Sequence, residues 1–199
     1  MTMTILIQKI IDLLKQLLGM VPKDVVPSAP VVGEPRLTAE QVAKLRSVCH
    51  FQIPESDEEI SKCTQLAFNI EHYGWNENNP EQNKYISQFW KYAGLPNYNS
   101  ISGRSNAWCA LDVIISYLLA GFSIKNLDAS AVSGLRYANK LKAYKFGCGA
   151  VIQHSSGGHH VTQLVAPRFG LGGNQSDSIN VAELSSSDKI LGYFWPVKA

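Results

Sequence analysis

Hydrophobic and polar positions in the first third of the chain follow a helical period that is interrupted by turn residues. Apolar residues three and four positions apart, with polar residues on one side, predict an amphipathic helix over 1–20. A proline-rich linker occupies 21–36. Capping-box patterns then predict helices over 38–48 and 56–70. These two helices open the main domain, which we assign to 37–199.

The middle of the chain continues the helical pattern. A turn-rich polar segment predicts a loop over 73–80, before a helix over 81–93. A second, strongly apolar helix is predicted over 107–120, and each of these helices is followed by a glycine that ends it. A further helix is predicted over 129–141. This part of the domain is therefore expected to be helical.

After residue 144 the pattern changes to short β segments separated by glycine and serine clusters. Strands are predicted over 150–153, 161–165, 179–181 and 190–194. Short strands with such turns are typical of a small antiparallel sheet. Helices that precede strands along the chain indicate an α+β fold.

Composition and charge narrow the class of protein. With 45% hydrophobic and 17% charged residues, the 199-residue chain is that of a folded globular protein. The net charge is +2, and the basic residues are scattered rather than clustered, so we predict no nucleic-acid partner. A mildly cationic protein is still attracted to an anionic polymer such as a bacterial cell wall.

The N-terminal segment resembles a targeting sequence only at first sight. Lys9, Asp12 and Lys15 interrupt its apolar part, and it has neither a basic start nor a cleavage pattern, so we predict no cleavable signal peptide and no membrane span. The helix at 4–18 is expected to dock on its own domain, on a second copy of the chain, or on a membrane surface.

The four cysteines are spread along the chain without a CxxC pair. They are Cys49, Cys63, Cys109 and Cys148. This spacing fits no zinc ribbon, and a chain of this length does not need disulfides, so we predict reduced thiols. A zinc site built from Cys148, His154, His159 and His160 is an alternative, but the spacing matches no standard ligand pattern, and we predict no metal.

Cys109 is a candidate nucleophile. Asn106 is a good N-cap, which places Cys109 in the first turn of a helix, where the helix dipole favours the thiolate. Cysteine catalysis also needs a histidine and a polar group that orients it. His159 and His160 begin a predicted strand, and Asn174 follows about one strand later. The alternative is that Cys109 is a core residue of an apolar helix.

Four motifs in order carry a family resemblance. They are Trp108-Cys109-Ala110, Gly158-His159-His160-Val161, Leu171-Gly172-Gly173-Asn174-Gln175 and Leu191-Gly192-Tyr193-Phe194-Trp195-Pro196. With these motifs the segment 79–196 resembles the CHAP-like, papain-type cysteine amidohydrolases of bacteriophages and bacteria, which cleave peptidoglycan. The resemblance implies a papain-like fold, in which the nucleophile at a helix start packs on the antiparallel sheet.

The resemblance also implies roles for individual residues. Cys109 would be the nucleophile and Asn174 the residue that orients the base. His160 is favoured as the base because it is the histidine directly followed by valine, as in the family, with His159 as the alternative. Gln175 is a possible helper. No cofactor is implied, because the thiol itself supplies the nucleophile.

The expected activity is hydrolysis of an amide bond in peptidoglycan, by an N-acetylmuramoyl-L-alanine amidase or a peptide endopeptidase. The natural context would be a bacteriolytic phage endolysin, made in the host cytoplasm and acting on the cell wall. Trp75, Tyr98 and Trp108 are candidates for the wall of a substrate cleft. Core packing is an equally good interpretation of Trp108.

The chain also departs from the family pattern. Asp112 stands where the family has an apolar residue, and Cys148 where it has an aspartate. Thr162 replaces a glycine after the His-Val pair. A carboxylate at Asp112 would disfavour the Cys109 thiolate one helical turn away. These departures motivate an alternative function, a catalytically inactive relative that binds the cell wall or serves as a virion structural protein.

Overall fold

The computed structural model of the chain describes residue 43 and the segments 64–95, 108–137 and 139–199. Ala43 is helical, in agreement with the helix predicted there. The N-terminal helix and linker, the start of the helix predicted over 56–70, and Asn106 and Tyr98 lie outside the described residues. Within the described part of the chain, no helix has the length and apolar character needed to cross a membrane.

Three α-helices are described: α1 (Thr64–Glu71), α2 (Pro80–Tyr92) and α3 (Cys109–Leu119). Helix α2 begins as its sequence predicts, because the Asn79 side chain accepts hydrogen bonds from the first free N–H groups and Pro80 occupies the first helical position. Helix α3 is buried along nearly all of its length, as its apolar sequence indicates.

The prediction of a helix over 129–141 is wrong. The chain forms a short 3₁₀ helix (Ala131–Arg136), and strand β1 (Lys140–Leu141) follows after residue 138, which is not described. Gly134 lies inside the segment, where glycine weakens an α-helix. A Cβ at this position would lie 2.5 Å from the ring of Phe194, so close packing against the sheet decides the conformation here.

Six strands form one antiparallel sheet in the order β1-β6-β2-β3-β4-β5. The remaining strands are β2 (Cys148–Gln153), β3 (His159–Ala166), β4 (Phe169–Gln175), β5 (Ser178–Glu183) and β6 (Lys189–Phe194). All four predicted strands are confirmed, whereas β1 and β4 were not predicted. Strand β4 is rich in glycine because Gly170 and Gly172 pack against Thr162 with no room for a Cβ.

The two faces of the sheet have different partners. Helix α3 packs on one face, where Val151 and Val161 join its core cluster. The other face carries a second cluster that contains Ile152 and Trp195. Since side chains alternate along a strand, His160 lies on this second face. The order of helices and sheet is that of an α+β fold, as predicted.

Candidate active site

Cys109 is the first residue of α3, so the predicted helix begins two residues later than expected. Trp108, rather than Asn106, occupies the N-cap position, and its side chain makes no capping hydrogen bond. The backbone N–H groups of Cys109 and Ala110, in the first turn of the helix, point at the thiol. The Cys109 side chain is buried, with 2% of its surface exposed. The structure therefore places the cysteine at the predicted helix start and also in the core.

A hydrogen bond outside α3 holds this helix start. The indole N–H of Trp108 donates to a carboxylate oxygen of Glu77 at 2.6 Å. Burial raises the pKa of Glu77, as does the charge of nearby Asp177, while the bond from Trp108 lowers it. Glu77 was missed in the sequence, because nothing local marks a contact 31 residues away.

The Cys109 thiol lies against strand β3 where the backbone N–H of Val161 points at the sulfur. The carbonyl oxygen of Leu164 points towards β2, where it accepts a hydrogen bond from the backbone N–H of Gly147. Because the backbone groups alternate in direction along a strand, those of Val161, three residues earlier, point towards β4. At this end the pairing of β3 with β4 stops at Gln163. The thiol thus lies beside the backbone of β3, where its pairing with β4 has ended. Cys109 belongs to the core cluster on the α3 face, whereas His160 lies on the other face of the sheet, and the Nε2 atom of His160 makes no hydrogen bond to the thiol.

His160 is adjacent in sequence to the residue that contacts the thiol. Only 7% of its surface is exposed, and its Nε2 atom has no hydrogen-bond partner among the described residues. Burial and the nearby His154 lower the pKa of His160 to about 4, while a hydrogen bond with the Gln175 side chain opposes this shift. His160 is therefore a neutral imidazole at pH 7.

Gln175, rather than Asn174, is the amide that contacts His160. Its Nε2 also donates to the carbonyl oxygens of Gly170, Gly172 and Asn180, at 3.1, 3.2 and 2.5 Å. Asn174 is half-buried and has a positive φ of 58° at a break in the pairing of β4 and β5. Gln175, which was predicted as a helper, thus makes the contact with His160 that was predicted for Asn174.

His159, the alternative base, is in a different environment. It is exposed and lies on the face of β3 that also carries Val161, towards α3. The pairing of β3 with β2 places it opposite Gln153, at the end of the hairpin. The structure does not bring its side chain into contact with Gln175, so only His160 has an orienting partner among the described residues.

Burial dominates the electrostatics of the Cys109 thiol. It raises the pKa of the thiol, while the backbone N–H groups of Val161 and Ala110 lower it, and the charge of Asp112 raises it further. The thiol and the His160 imidazole are therefore both neutral at rest. A preformed thiolate–imidazolium pair, which many cysteine hydrolases use, is not the resting state of this site.

Asp112 is a buried carboxyl one helical turn after the cysteine. Burial raises its pKa to about 8, against a weaker opposing effect from the backbone N–H of Gly173. Apart from this N–H group, neither carboxyl oxygen has a hydrogen-bond partner among the described residues. Asp112 lines a small cavity whose other residues are apolar or aromatic: Phe68, Trp75, Ile86, Phe89, Trp108, Leu111, Ile115 and Ile179.

Two of the predicted cleft residues, Trp75 and Trp108, line this small cavity. Trp108 is 2% exposed and belongs to the core, which agrees with the interpretation of this residue as core packing. Trp75 is half-buried and stacks on Phe89 with ring centroids 6.3 Å apart. Tyr98 lies outside the described residues. Trp75 is thus the one predicted cleft residue that the structure describes with exposed surface.

Cys148 provides a contrast to Cys109. It is fully buried on the opposite sheet face, and burial raises the pKa of its thiol to about 11. Both described cysteines are free thiols. In the described segments, no three His, Cys, Asp or Glu side chains converge in a way that could hold a metal ion.

Comparisons with models of protein families, with curated proteins and with solved structures find no match to this chain. The family resemblance therefore rests on the four sequence motifs alone. The geometry adds two separate contacts: the Cys109 thiol contacts the backbone of Val161, and the Gln175 side chain contacts the ring of His160.

Proposed function

We propose that the protein is a cysteine amidohydrolase with a papain-like arrangement, in which Cys109 is the nucleophile and His160 the base. The observation that supports this most is the position of the Cys109 thiol, which lies at the start of α3 and against the backbone of Val161, directly after His160. The contact between Gln175 and His160 supplies the third polar group that such a site needs.

The chemistry begins from a neutral thiol and a neutral imidazole. In the proposed reaction His160 takes the thiol proton as the sulfur attacks the amide carbonyl carbon. Its Nε2 has no partner among the described residues and is the atom that receives the proton, once the His160 ring reaches the sulfur from the other face of β3. The C–N bond then breaks, and the leaving amine takes the proton from His160. A water molecule, deprotonated by His160, hydrolyses the thioester and regenerates the thiol.

The free N–H groups at the start of α3 are suited to stabilise the developing oxyanion. The N–H groups of Cys109 and Ala110 belong to the first turn and point towards the thiol, where the helix dipole adds partial positive charge. Both N–H groups belong to the helix that carries the nucleophile. The helix that positions the nucleophile therefore also supplies the electrophilic groups of the reaction.

The proposed substrate is an amide bond of bacterial peptidoglycan, either the lactyl-L-alanine bond or a bond within the peptide. This substrate comes from the family resemblance, which also favours a bacteriolytic phage endolysin. The mild positive charge of the chain is compatible with an anionic cell wall. Its proposed partner is peptidoglycan, without a cofactor.

The second candidate is a catalytically inactive member of the same class that binds the cell wall or serves in a virion. Three features favour it: Cys109 is 2% exposed, burial raises the pKa of its thiol, and Asp112 places a buried carboxyl one turn away. A substrate carbonyl must approach the sulfur closely to react. Activity would thus require displacement of the side chains that cover the thiol.

Digestion of purified peptidoglycan separates the two candidates. The wild-type protein is expected to release soluble fragments, whereas Cys109→Ala should release none. Cys148→Ala is the matched control, because it removes an equally buried thiol from the opposite sheet face. Equal release by wild type and Cys109→Ala would refute the thiol mechanism, and mass spectrometry of the fragments identifies the bond that is cut.

Two further variants identify the base. His160→Ala should lose most of the activity, and His159→Ala should retain it, because only His160 has an orienting contact with Gln175. Circular dichroism of both variants checks that the fold is kept. A greater loss in His159→Ala would transfer the role of base to the exposed histidine on the α3 face.

A further inference from the structure

A second pair of ionisable side chains lies beside His160 and takes no part in the proposed reaction. His154 is in the turn between β2 and β3, and Asp188 is in the segment before β6. The Nδ1 atom of His154 lies 3.1 Å from a carboxylate oxygen of Asp188. The other carboxylate oxygen accepts from the backbone N–H of Ser155 at 3.2 Å. Asp188 therefore fixes the ring of His154.

His154 places its ring close to the ring of His160. The ring centroids of His154 and His160 are 6.0 Å apart, with the ring planes inclined by 32°. The His154 side chain is 41% exposed, that of Asp188 is 8% exposed, and His160 is buried. His154 thus holds an ionisable ring at short range from a buried one.

Two other neighbours of His160 among the described residues carry no charge. Its cross-strand partner on β2 is Ile152, and the side chain that reaches it from β4 is Gln175. The charged groups that act on His160 are His154, which disfavours its protonated form, and Asp188, which favours it. These opposite influences come from two residues 34 positions apart that meet only in the fold.

We propose that His154 and Asp188 are positioning residues that control the protonation of His160: Asp188 fixes the imidazole of His154 beside the buried ring, and the charge of the pair decides how readily His160 holds a proton. The significance of this control for catalysis rests on the proposed function. The coupling between the side chains does not depend on it.

The sign of each effect follows from Coulomb's law. Two unit charges 6.0 Å apart interact strongly enough to shift a titration midpoint by about 0.5 to 2 pH units, for an effective dielectric constant between 80 and 20. Because His154 disfavours the protonated form of His160, its removal in His154→Gln raises the pKa of His160. Asp188→Asn keeps a hydrogen-bond acceptor for His154 and removes only the negative charge, so it lowers the pKa of His160.

The test is an NMR titration of the full chain with ¹³C-labelled histidine, in which the His160 signals are assigned by their loss in His160→Gln. At pH 5 the protonated fraction of His160 should rise in His154→Gln and fall in Asp188→Asn. Lys189→Gln is the control, because Lys189 is adjacent to Asp188 in sequence but pairs with Gln153, whose side chain lies on the other sheet face. It should leave the titration unchanged.

Opposite shifts in the two variants support the proposal, because a general loosening of the fold would move both in the same direction. Equal fractions in wild type and both variants, or shifts of the same sign, would overturn it. The acid limb of the pH–activity profile should move with the His160 titration. An inactive wild type, or a Cys109→Ala variant that remains active, would refute the proposed function and leave the NMR result intact.

Discussion

Replacement of Asp112 by asparagine tests the central electrostatic feature of the site. Asp112 is 3% exposed and lines an apolar cavity. Apart from the backbone N–H of Gly173, its carboxyl oxygens have no hydrogen-bond partner among the described residues. Burial raises its pKa from 3.8 to about 8. The folded protein therefore keeps this carboxyl protonated at pH 7, where the unfolded chain ionises it.

The sign of the pH dependence follows from this difference in proton binding. A carboxyl whose folded-state pKa is raised contributes most stability below its unfolded pKa of 3.8, and this contribution is lost as the pH rises towards 8. One pKa unit corresponds to about 1.4 kcal/mol. Between pH 5 and pH 8 the wild type should therefore lose about 3.5 kcal/mol of unfolding free energy through Asp112 alone.

Asp112→Asn removes this titration and keeps the size of the side chain. The difference in unfolding free energy between variant and wild type should shift in favour of the variant by about 3.5 kcal/mol from pH 5 to pH 8. His160, whose pKa is lowered to about 4, changes the stability of both proteins in the opposite direction with pH, and its effect cancels in this difference.

The assay is urea unfolding followed by tryptophan fluorescence at pH 5, 6, 7 and 8. Glu183→Gln is the matched control, because it removes one exposed carboxylate from β5. A stability difference between Asp112→Asn and wild type that is the same at all four pH values would refute the argument. It would mean that Asp112 is ionised in the folded protein, and that its charge is stabilised by groups outside the described residues.

Three further substitutions test contacts of the site. Gly173→Ala would place a Cβ 2.6 Å from the ring of Trp108, and should lower the unfolding free energy by about 1 to 3 kcal/mol in urea unfolding. Trp108→Phe removes the indole N–H that donates to half-buried Glu77, and should lower the unfolding free energy by about 1.5 to 3 kcal/mol in the same assay. Gln175→Ala should reduce peptidoglycan hydrolysis more than Asn174→Ala, because Gln175 contacts the base; equal rates would return the orienting role to Asn174.

The sequence determined the elements whose signals are local. Asn79 and Pro80 mark the start of α2, and the run from Cys109 to Leu119 marks α3, because capping and helical periodicity depend on near neighbours in the chain. Alternation likewise located four of the six strands. Strand β4 was not predicted, because its glycines lower strand propensity. Gly170 and Gly172 are needed there for close packing against Thr162.

The candidate site was only partly predictable for the same reason. The sequence shows the order of cysteine, histidine and amide along the chain. The choice between Asn174 and Gln175 depends on a break in the pairing of β4 and β5, which changes which of the two side chains reaches His160. A one-residue change of register turns a side chain to the other face of a sheet. The spacing of residues along the chain therefore could not show whether Asn174 or Gln175 contacts His160.

The sequence by itself therefore determined which chemical groups are present and in what order, and the helix start on which Cys109 lies. The tertiary structure decided their burial, and with it the neutral thiol, the neutral His160 and the protonated Asp112. It also brought Glu77 to Trp108 across 31 residues. Local patterns record backbone preference, whereas desolvation and long-range contacts arise only when distant segments pack together.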